Sequence, residues 1–215
     1  MNDILINQKI EEYIINHSDD EPELLYSLYR ETYQKHVNPR MLSGHYQGRI
    51  LSMISKIIRP EKILEIGTFT GYSSLCLAEG LKETGRLYTI DIDEELKDII
   101  SKYFKLSKYS NQLTNIVGDA IEEIPKIKEK FDLVFIDADK ENYCNYFNMV
   151  FPKLNKNGII LTDNVLWSGK VIEELNDKDS DTKAIIEYNK MIKENPLVEV
   201  VVLPIRDGLS LVRKI

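Results

Sequence analysis

ILEIGTFTGYSS, residues 63–74, has the pattern of a buried strand that turns into a helix, the unit with which nucleotide-binding α/β folds begin. A dinucleotide site requires the spacing G-x-G-x-x-G, so that the backbone can approach a pyrophosphate. Only Gly67 and Gly71 are present, and Phe69 stands at the position of close approach. Glu65 would also repel a phosphate. The turn therefore favours a ligand that carries an ammonium group and no phosphate.

The composition indicates one globular protein with no bias towards nucleic acid. The 215 residues are 43% hydrophobic, which predicts a single domain over residues 1–215. A net charge of −7 disfavours extended contacts with the phosphates of a nucleic acid, but net charge does not exclude a local basic patch. Two cysteines without CxxC spacing indicate no disulfide framework. Neither a leader segment nor a membrane-spanning run is recognisable, which predicts a cytoplasmic protein with no membrane partner.

Two kinds of hydrophobic periodicity divide the chain near Pro60. Residues 1–60 are predicted to form a helical cover, because apolar residues recur three or four positions apart in segments 7–18, 21–36 and 44–58. Residues 61–215 are predicted to form a Rossmann-like core in which short apolar strands alternate with amphipathic helices. The predicted strands are 62–67, 86–92, 113–119, 131–137 and 158–164. This alternation predicts a parallel sheet with helices on both faces.

The end of the chain has a different pattern. Apolar segments 197–204 and 208–215 are separated only by IRD, residues 205–207. Three residues are too few for a helical crossover, so the two segments must pair antiparallel. The predicted α/β fold is therefore a mostly parallel sheet that is closed by one C-terminal antiparallel hairpin.

Acidic and small residues at the ends of the next strands extend the ligand hypothesis. Asp91 ends the second strand, where a carboxylate can accept hydrogen bonds from both hydroxyls of a ribose. Asp119 and Ala120 end the third strand, where they would border an adenine ring. Simple turn glycines and a helix-capping role for Asp91 are the alternatives. Adenosine with an amino-acid tail and no phosphate describes S-adenosylmethionine.

Polar side chains that suit a hard cation follow the fourth and fifth strands. Asp137 ends one strand, and Asp163 and Asn164 end the other, so all three are expected at one edge of the sheet. Two carboxylates and an amide oxygen are ligands for Mg²⁺, Mn²⁺ or Ca²⁺. Helix capping is the alternative, and it is the preferred explanation for Asp139. Metal-ligand spacing is absent among the three histidines, of which His17 and His36 are predicted on the surface and His45 is left open.

These segments resemble the cation-dependent O-methyltransferases, the family of caffeoyl-CoA and catechol O-methyltransferases. The similarity runs from MLSGHYQG (41–48) through YTIDID, GDA, FDLVFIDADK and LTDNVLWSG to the terminal DGLSLVRK. It implies the class I methyltransferase fold, with a seven-stranded sheet. It also implies a set of residues that contact S-adenosylmethionine: Met41, Ser43, Glu65, Gly67, Ser73, Asp91 and Ala120, to which we add Asp119 and Asp137.

The same resemblance implies the chemistry. Asp137, Asp163 and Asn164 would hold Mg²⁺, and Lys140 falls at the position of the family's catalytic lysine. The predicted reaction is Mg²⁺-dependent methylation of a hydroxyl on a small vicinal-diol or catechol-type substrate, with neutral Lys140 as general base. A solvated lysine in the first turn of a helix is the alternative for Lys140. Trp167 and Tyr143 are candidates for walls around an aromatic substrate, or else for core residues.

Other readings of the sequence stay open. The segment DADK lacks the aromatic pair that covers adenine in the catechol enzyme, and Ser168 replaces an asparagine of the plant enzymes. A tRNA hydroxyuridine O-methyltransferase, a nicotinamide-dependent oxidoreductase and a non-catalytic binding protein are the competing functions. A homodimer is predicted because the N-terminal helices carry a surplus of apolar and aromatic residues, namely Leu24, Leu25, Tyr26, Leu28 and Tyr29.

Overall fold

Three helices precede the sheet. The computed structural model describes residues 8–215, and residues 1–7 of the predicted helical cover lie outside the described part. The helices are α1 (Gln8–Asn16), α2 (Glu23–Lys35) and α3 (Gly44–Ile58). Helix α3 ends where Arg59 adopts a left-handed backbone conformation, with φ 52°, immediately before Pro60. Proline cannot continue a helix, so the chain leaves α3 and enters the sheet at this point.

Seven strands form one sheet in the order β3-β2-β1-β4-β5-β7-β6. They are β1 (Lys62–Ile66), β2 (Arg86–Asp91), β3 (Leu113–Val117), β4 (Phe131–Ile136), β5 (Leu154–Asp163), β6 (Val198–Leu203) and β7 (Leu209–Lys214). The first five strands pair in parallel, whereas β7 pairs antiparallel with both β5 and β6. The predicted parallel sheet with a closing hairpin is confirmed.

Strand β5 begins earlier than the sequence pattern predicts. Leu154 already pairs with Phe131, and after an irregularity the pairing resumes with Ile159 opposite Leu133. The polar residues between these two pairs hid the start of the strand, because the prediction relied on a continuous apolar run. Asn157 occupies this interruption with φ 62°, a conformation that asparagine tolerates better than most residues.

Helices cover both faces of the sheet. After α3 they are α4 (Tyr72–Ala78), α5 (Lys97–Leu106), α6 (Ala120–Glu123), α7 (Tyr143–Val150) and α8 (Ser180–Glu194). The sheet has a hydrophobic core on each face, and successive residues of a strand point into opposite cores. Ile63 and Leu133 pack with α2 to α5 on one face, and Leu64 and Val134 pack with α7 and α8 on the other. Because successive side chains point to opposite faces, a strand that is buried on both sides is apolar throughout.

The apolar residues of α2 are divided between the molecule's own core and its surface. Leu25 and Leu28 of α2 are buried, and Leu24 and Tyr29 are partly buried against the same core, so four of the five residues behind the dimer prediction already have contacts within the chain. Tyr26 is 50% exposed. The predicted surplus is therefore smaller than the sequence count suggested, and the homodimer stays a prediction.

Polar contacts anchor the helical cover to the core. Thr32 of α2 donates to the hydroxyl of Thr70 over 3.1 Å, and the hydroxyl of Tyr72 donates to Glu21 over 2.5 Å. His45, left open by the sequence, contacts the backbone oxygen of Asp19 over 2.9 Å and so has a structural partner. Within residues 8–215, no helix combines the length and the apolar character that a membrane crossing requires.

Candidate active site

A cleft of about 1520 Å³ opens at the carboxyl ends of the parallel strands. It lies where the strand order reverses between β1 and β4, the usual ligand position in open α/β sheets. Eleven of the twelve predicted site residues line it, namely Met41, Ser43, Gly67, Ser73, Asp91, Asp119, Ala120, Asp137, Lys140, Asp163 and Asn164. The exception is Glu65. The structure thus brings both predicted groups, donor-binding and metal-binding, to one opening.

The turn after β1 is shaped by close backbone packing. Gly67 has φ 98°, and a Cβ atom there would lie 2.2 Å from the backbone oxygen of Asp137. Gly71 has φ 87°, and a Cβ atom there would lie 2.8 Å from the ring of Phe104. Both glycines are therefore required by the fold itself, as the simpler alternative held. Phe69, between them, adopts φ 47° and lines the cleft.

Asp91 holds this turn in place. Its Oδ2 atom accepts hydrogen bonds from the backbone nitrogens of Thr68 (2.9 Å) and Phe69 (2.7 Å), and its Oδ1 atom accepts one from Asp93 (2.9 Å). The capping alternative for Asp91 is wrong, because the side chain of Asp93 caps the following helical turn. A carboxylate offers about four acceptor positions, so Asp91 can still accept a hydrogen bond in the cleft.

Asp119 and Ala120 meet at the start of α6. The Oδ1 atom of Asp119 accepts from the backbone nitrogen of Ile121 over 2.8 Å, so this side chain is a helix cap. Ala120 is 9% exposed and lines the cleft beside it. Ile92 and Tyr146 are further apolar or aromatic residues of the cleft. They are candidates for the adenine wall that the sequence left undefined.

Glu65 of β1 is buried against α4. Its side chain has no exposed surface, and its Oε2 atom accepts a hydrogen bond from the hydroxyl of Ser74. Burial raises the pKa of Glu65 to about 7, against the opposing effect of hydrogen bonds from Ser73 and Ser74. The Oε1 atom has no hydrogen-bond partner among the described residues. A buried acceptor without a partner, close behind the turn, suits an ammonium group, and the predicted donor contact of Glu65 stays a prediction.

Asp137 and Lys140 form the central ion pair of the cleft. The Nζ atom of Lys140 lies 3.1 Å from Oδ1 of Asp137 and 3.0 Å from the backbone oxygen of Ala138. Burial raises the pKa of Asp137 to about 7; the charge of Lys140 opposes this rise, and the charge of Asp163 adds to it. The Lys140 side chain is only 11% exposed, so the alternative of a freely solvated lysine is wrong.

Asp163 and Asn164 form the opposite wall. Asp163 is 3% exposed, and its Oδ2 atom accepts a hydrogen bond of 2.7 Å from Nε2 of Gln47. Asn164 adopts φ 59°, and its Nδ2 atom lies 3.5 Å from Oδ2 of Asp207. Asp163 is close enough to Asp137 for its charge to raise the pKa of that carboxyl. Two adjacent carboxylates favour a bound cation, because it would relieve their repulsion.

The predicted metal ligands have the chemistry that a hard divalent ion requires. Over residues 8–215, no three His, Cys, Asp or Glu side chains form a metal-binding group. The predicted set contains only two such side chains, Asp137 and Asp163, and its third member is the amide of Asn164. Oxygen ligands with this little charge suit Mg²⁺, which retains several waters and takes one or two carboxylates. The described residues therefore fit the predicted ion.

Some residues lie elsewhere than the sequence indicated. Asp139 makes no capping bond; it accepts instead from the hydroxyl of Tyr146 and from Nδ2 of Asn142. Tyr143 is a fully buried core residue whose hydroxyl donates to the backbone oxygen of Asp163 over 2.9 Å. His36, predicted on the surface, is partly exposed and lines the cleft.

Three residues that contact the predicted site residues were not predicted from the sequence, namely Gln47, Arg206 and Asp207. Gln47 lies in α3, and the other two lie in the loop between β6 and β7. Local sequence gave no signal for Gln47 or Arg206, because each acts on residues more than 100 positions away. The pair Asp207-Gly208 carried a turn signal only.

Comparisons with known proteins agree with this geometry. A family model described as O-methyltransferase matches residues 15–215. The chain is 32% identical over 223 residues to tapetum-specific methyltransferase 1 of Arabidopsis thaliana, covering 99% of this chain and 96% of the relative. It is 31% identical over 228 residues to caffeoyl-CoA O-methyltransferase 2 of Petunia hybrida, covering 99% and 93%. The SAH-bound methyltransferase PaMTH1 of Podospora anserina superimposes with a TM-score of 0.88 at 26% identity, covering 98% and 97%.

Proposed function

We propose a specific reaction for this chain, which belongs to the S-adenosylmethionine-dependent O-methyltransferase family that includes the caffeoyl-CoA enzymes. The reaction is Mg²⁺-dependent methylation of one hydroxyl of a small vicinal-diol or catechol-type acceptor. The observation that carries the proposal is the ion pair of Lys140 with Asp137, whose pKa is also raised by the charge of Asp163, in the same cleft as the turn after β1.

Asp137, Asp163 and Asn164 would hold the Mg²⁺ ion. When bound, Mg²⁺ supplies Lewis acidity that lowers the pKa of a chelated hydroxyl. Burial of Asp163 and the hydrogen bond from Gln47 hold one carboxylate in a defined orientation. A ligand whose rotamer is already restricted loses less freedom when the ion binds.

Lys140 would accept the proton. In the proposed step Lys140 first releases to solvent the proton that it carries in the ion pair with Asp137. A bond then forms between the acceptor oxygen and the methyl carbon, the sulfur–methyl bond breaks, and the hydroxyl proton passes to Lys140 in its neutral form. Its Nζ atom lies 4.9 Å from the ring centroid of Tyr143 and 5.9 Å from that of Trp167, so two rings limit its motion. Placement of the reacting groups contributes much of the rate enhancement in such transfers.

The donor would occupy the side of the cleft formed by the turn after β1 and the ends of β2 and β3. Asp91 would accept from the ribose, and Ala120 would border the adenine. Ser43 and Met41 would close over the donor from the segment before α3. SAH, present in the Podospora anserina structure, is the product that remains when S-adenosylmethionine has lost its methyl group, and it supports this assignment.

The acceptor would bind between Lys140 and the loop after β5. Trp167 lines the cleft there, and its ring supplies an apolar wall for a flat acceptor. Ser168, which follows it, adopts φ 54°. Serine in place of the asparagine of the plant enzymes weakens the case for caffeoyl-CoA as the acceptor.

The assembly and location of the protein are part of the proposal. A homodimer is supported by exposed apolar residues on the helical cover, among them Tyr26 (50% exposed), Met53 (54%) and Ile57 (75%). Light scattering at micromolar concentration should give twice the chain mass, and a monomeric mass would contradict it. Both Cys76 and Cys144 are free thiols, which accords with a reducing cytoplasm.

One assay tests the reaction. The protein is incubated with methyl-labelled S-adenosylmethionine and separately with a catechol, a hydroxycinnamoyl thioester and unmodified tRNA, each with and without EDTA. We expect labelled catechol in the absence of EDTA, loss of product with EDTA, and recovery when Mg²⁺ is restored. Product formation that survives EDTA would refute the metal requirement, and labelling of tRNA alone would refute the small acceptor.

A further inference from the structure

A buried amide connects the helical cover to the predicted metal ligands. Gln47 of α3 has no exposed surface, and its Nε2 atom donates to Oδ2 of Asp163 over 2.7 Å. The other oxygen of Asp163 accepts from the backbone nitrogen of Asn164 over 2.8 Å. Each carboxylate oxygen thus has one donor, which restricts rotation of the carboxylate about its own axis.

Arg206 fixes the orientation of that amide. Its Nη1 atom lies 3.3 Å from Oε1 of Gln47. Guanidinium groups only donate, so the oxygen of Gln47 must face Arg206, and the nitrogen must then face Asp163. A flipped amide would place its oxygen against the carboxylate and its nitrogen against the cation. The three groups therefore form a chain in which every donor points towards Asp163.

The same guanidinium also contacts the segment that lines the donor side of the cleft. Nη1 of Arg206 donates to the backbone oxygen of Leu42 over 3.1 Å and to that of Ser43. Arg206 has φ 48°, in the left-handed region that non-glycine residues rarely adopt. A strained backbone conformation of this kind persists where surrounding contacts stabilise it. Here those contacts are the hydrogen bonds to Leu42 and Ser43, which line the cleft.

We propose that Gln47 and Arg206 are positioning residues for methyl transfer: Gln47 orients Asp163 for the metal, and Arg206 orients Gln47 while it holds the donor segment at Ser43. The inference rests on the proposed function, since it assigns to Asp163 the role of metal ligand. It adds that one side chain from the β6–β7 loop aligns the metal site and the donor site with each other.

The first test measures metal binding without turnover. Mn²⁺ serves as probe, and its free concentration is followed by electron paramagnetic resonance. Gln47→Met keeps the length of the side chain but cannot donate, and we expect Mn²⁺ binding to weaken about 10- to 100-fold. Binding of S-adenosylmethionine, measured by calorimetry in EDTA, should change less than about twofold, because the side-chain amide of Gln47 bonds Asp163 and Arg206 and not the backbone oxygens of Leu42 and Ser43.

Arg206→Leu should weaken both ligands. We expect a loss of about tenfold for S-adenosylmethionine in EDTA, because the contacts to Leu42 and Ser43 are removed, and a further loss for Mn²⁺. Arg206→Lys, which retains a cationic donor, should recover part of both. Arg213→Leu is the matched control: the side chain of this β7 arginine donates to Glu199 and Asn157, neither of which lines the cleft, and its variant should bind both ligands as the wild type does.

A double variant tests whether the two residues act in series. If Arg206 affects Mn²⁺ only by orienting Gln47, Arg206→Leu should have no further effect on Mn²⁺ in the Gln47→Met background. Additive losses would overturn the series arrangement, and unchanged Mn²⁺ affinity in Gln47→Met would overturn the role of Gln47. Partly exposed Arg206 can be tested alone if Gln47→Met does not fold. Wild-type protein that binds no Mn²⁺ would refute the proposed metal site itself.

Discussion

The two halves of the cleft are built in different ways. On the donor half, Asp91 accepts hydrogen bonds from the backbone nitrogens of Thr68 and Phe69, which lie in the adjoining strand-to-helix turn. On the metal half, Asp163 is held by Gln47, which lies 116 positions earlier in the chain. The carboxylate of the first half is therefore held by backbone groups of the adjoining turn, whereas that of the second half depends on a side chain from a distant helix.

This difference has consequences for how each half responds to substitution. A carboxylate held by backbone nitrogens keeps its place as long as the turn is folded, because every residue except proline supplies a backbone N–H. Asp163 is held by one side chain and one backbone nitrogen, so replacement of Gln47 removes the donor to one of its two oxygens. We therefore expect the metal half to be the more sensitive to single substitutions.

The largest expected effect concerns the base on the metal half. Lys140→Met leaves the three predicted metal ligands in place but removes the proton acceptor, so turnover should fall about 10²- to 10⁴-fold. Excess Mg²⁺ should not restore it, and donor binding should be retained. Lys126→Met is the control, because that lysine is 63% exposed and pairs with Glu123. Near-normal turnover of Lys140→Met on the best acceptor would show that Lys140 is not the base.

The next largest effect concerns a metal ligand. Asp163→Asn keeps the shape of the side chain but removes its charge, so metal affinity should fall about 10- to 100-fold or more. Activity should be partly restored by excess Mg²⁺, in contrast to Lys140→Met. Asp177→Asn, at a side chain that is fully exposed, should behave as the wild type. Titration of activity with Mg²⁺ measures the difference, and identical curves for Asp163→Asn and wild type would contradict it.

A substitution at the contact between α3 and α4 should change the stability of the protein without altering either half of the cleft. Burial disfavours the charge of Glu79, but hydrogen bonds from Arg49, Lys56 and Ser52 outweigh it and lower the pKa to about 2. Because the folded-state pKa lies below the usual 4.5, the stabilisation is present above pH 4.5 and is lost as the pH falls through about 2.

Urea unfolding measures that contribution. Near neutral pH, Glu79→Gln should lower the free energy of unfolding by on the order of 2 kcal/mol. The difference from wild type should shrink as the pH falls below about 4. Glu199→Gln, at a pair that is 61% exposed on the carboxylate side, should cost much less. A difference for Glu79→Gln that is independent of pH would contradict the assignment.

The smallest expected effect lies on the donor half. Asp91→Asn replaces a charged acceptor by a neutral one and should weaken S-adenosylmethionine binding about tenfold, the lower end of the roughly 1.5–3 kcal/mol that a charged hydrogen bond contributes, because asparagine still accepts. EDTA should not alter the result, because this half does not contact the metal. Exposed Asp98 supplies the control variant Asp98→Asn. Calorimetry that detects NADH binding but no methyl donor would refute the assignment of the whole half.

The residues of the donor half were easier to predict from the sequence than the contacts of the metal half. Asp91 and Gly67 were identified because they end strands or occupy a turn, and their neighbours in space are also near in sequence. Asp139 was assigned a cap that it does not form, because Tyr146 and Asn142 bond its carboxylate instead. The start of β5 was missed since polar residues interrupt its apolar run.

Local sequence patterns were enough to predict the fold class, the closing hairpin and the candidate site residues, because strand alternation, turn residues and strand-end positions are local properties. The groups that hold those residues in place are known only from the folded molecule. The contacts of Gln47 with Asp163, and of Arg206 with Ser43, join segments more than 100 residues apart. Such pairings depend on how helices and loops pack around the finished sheet, and no local pattern encodes them.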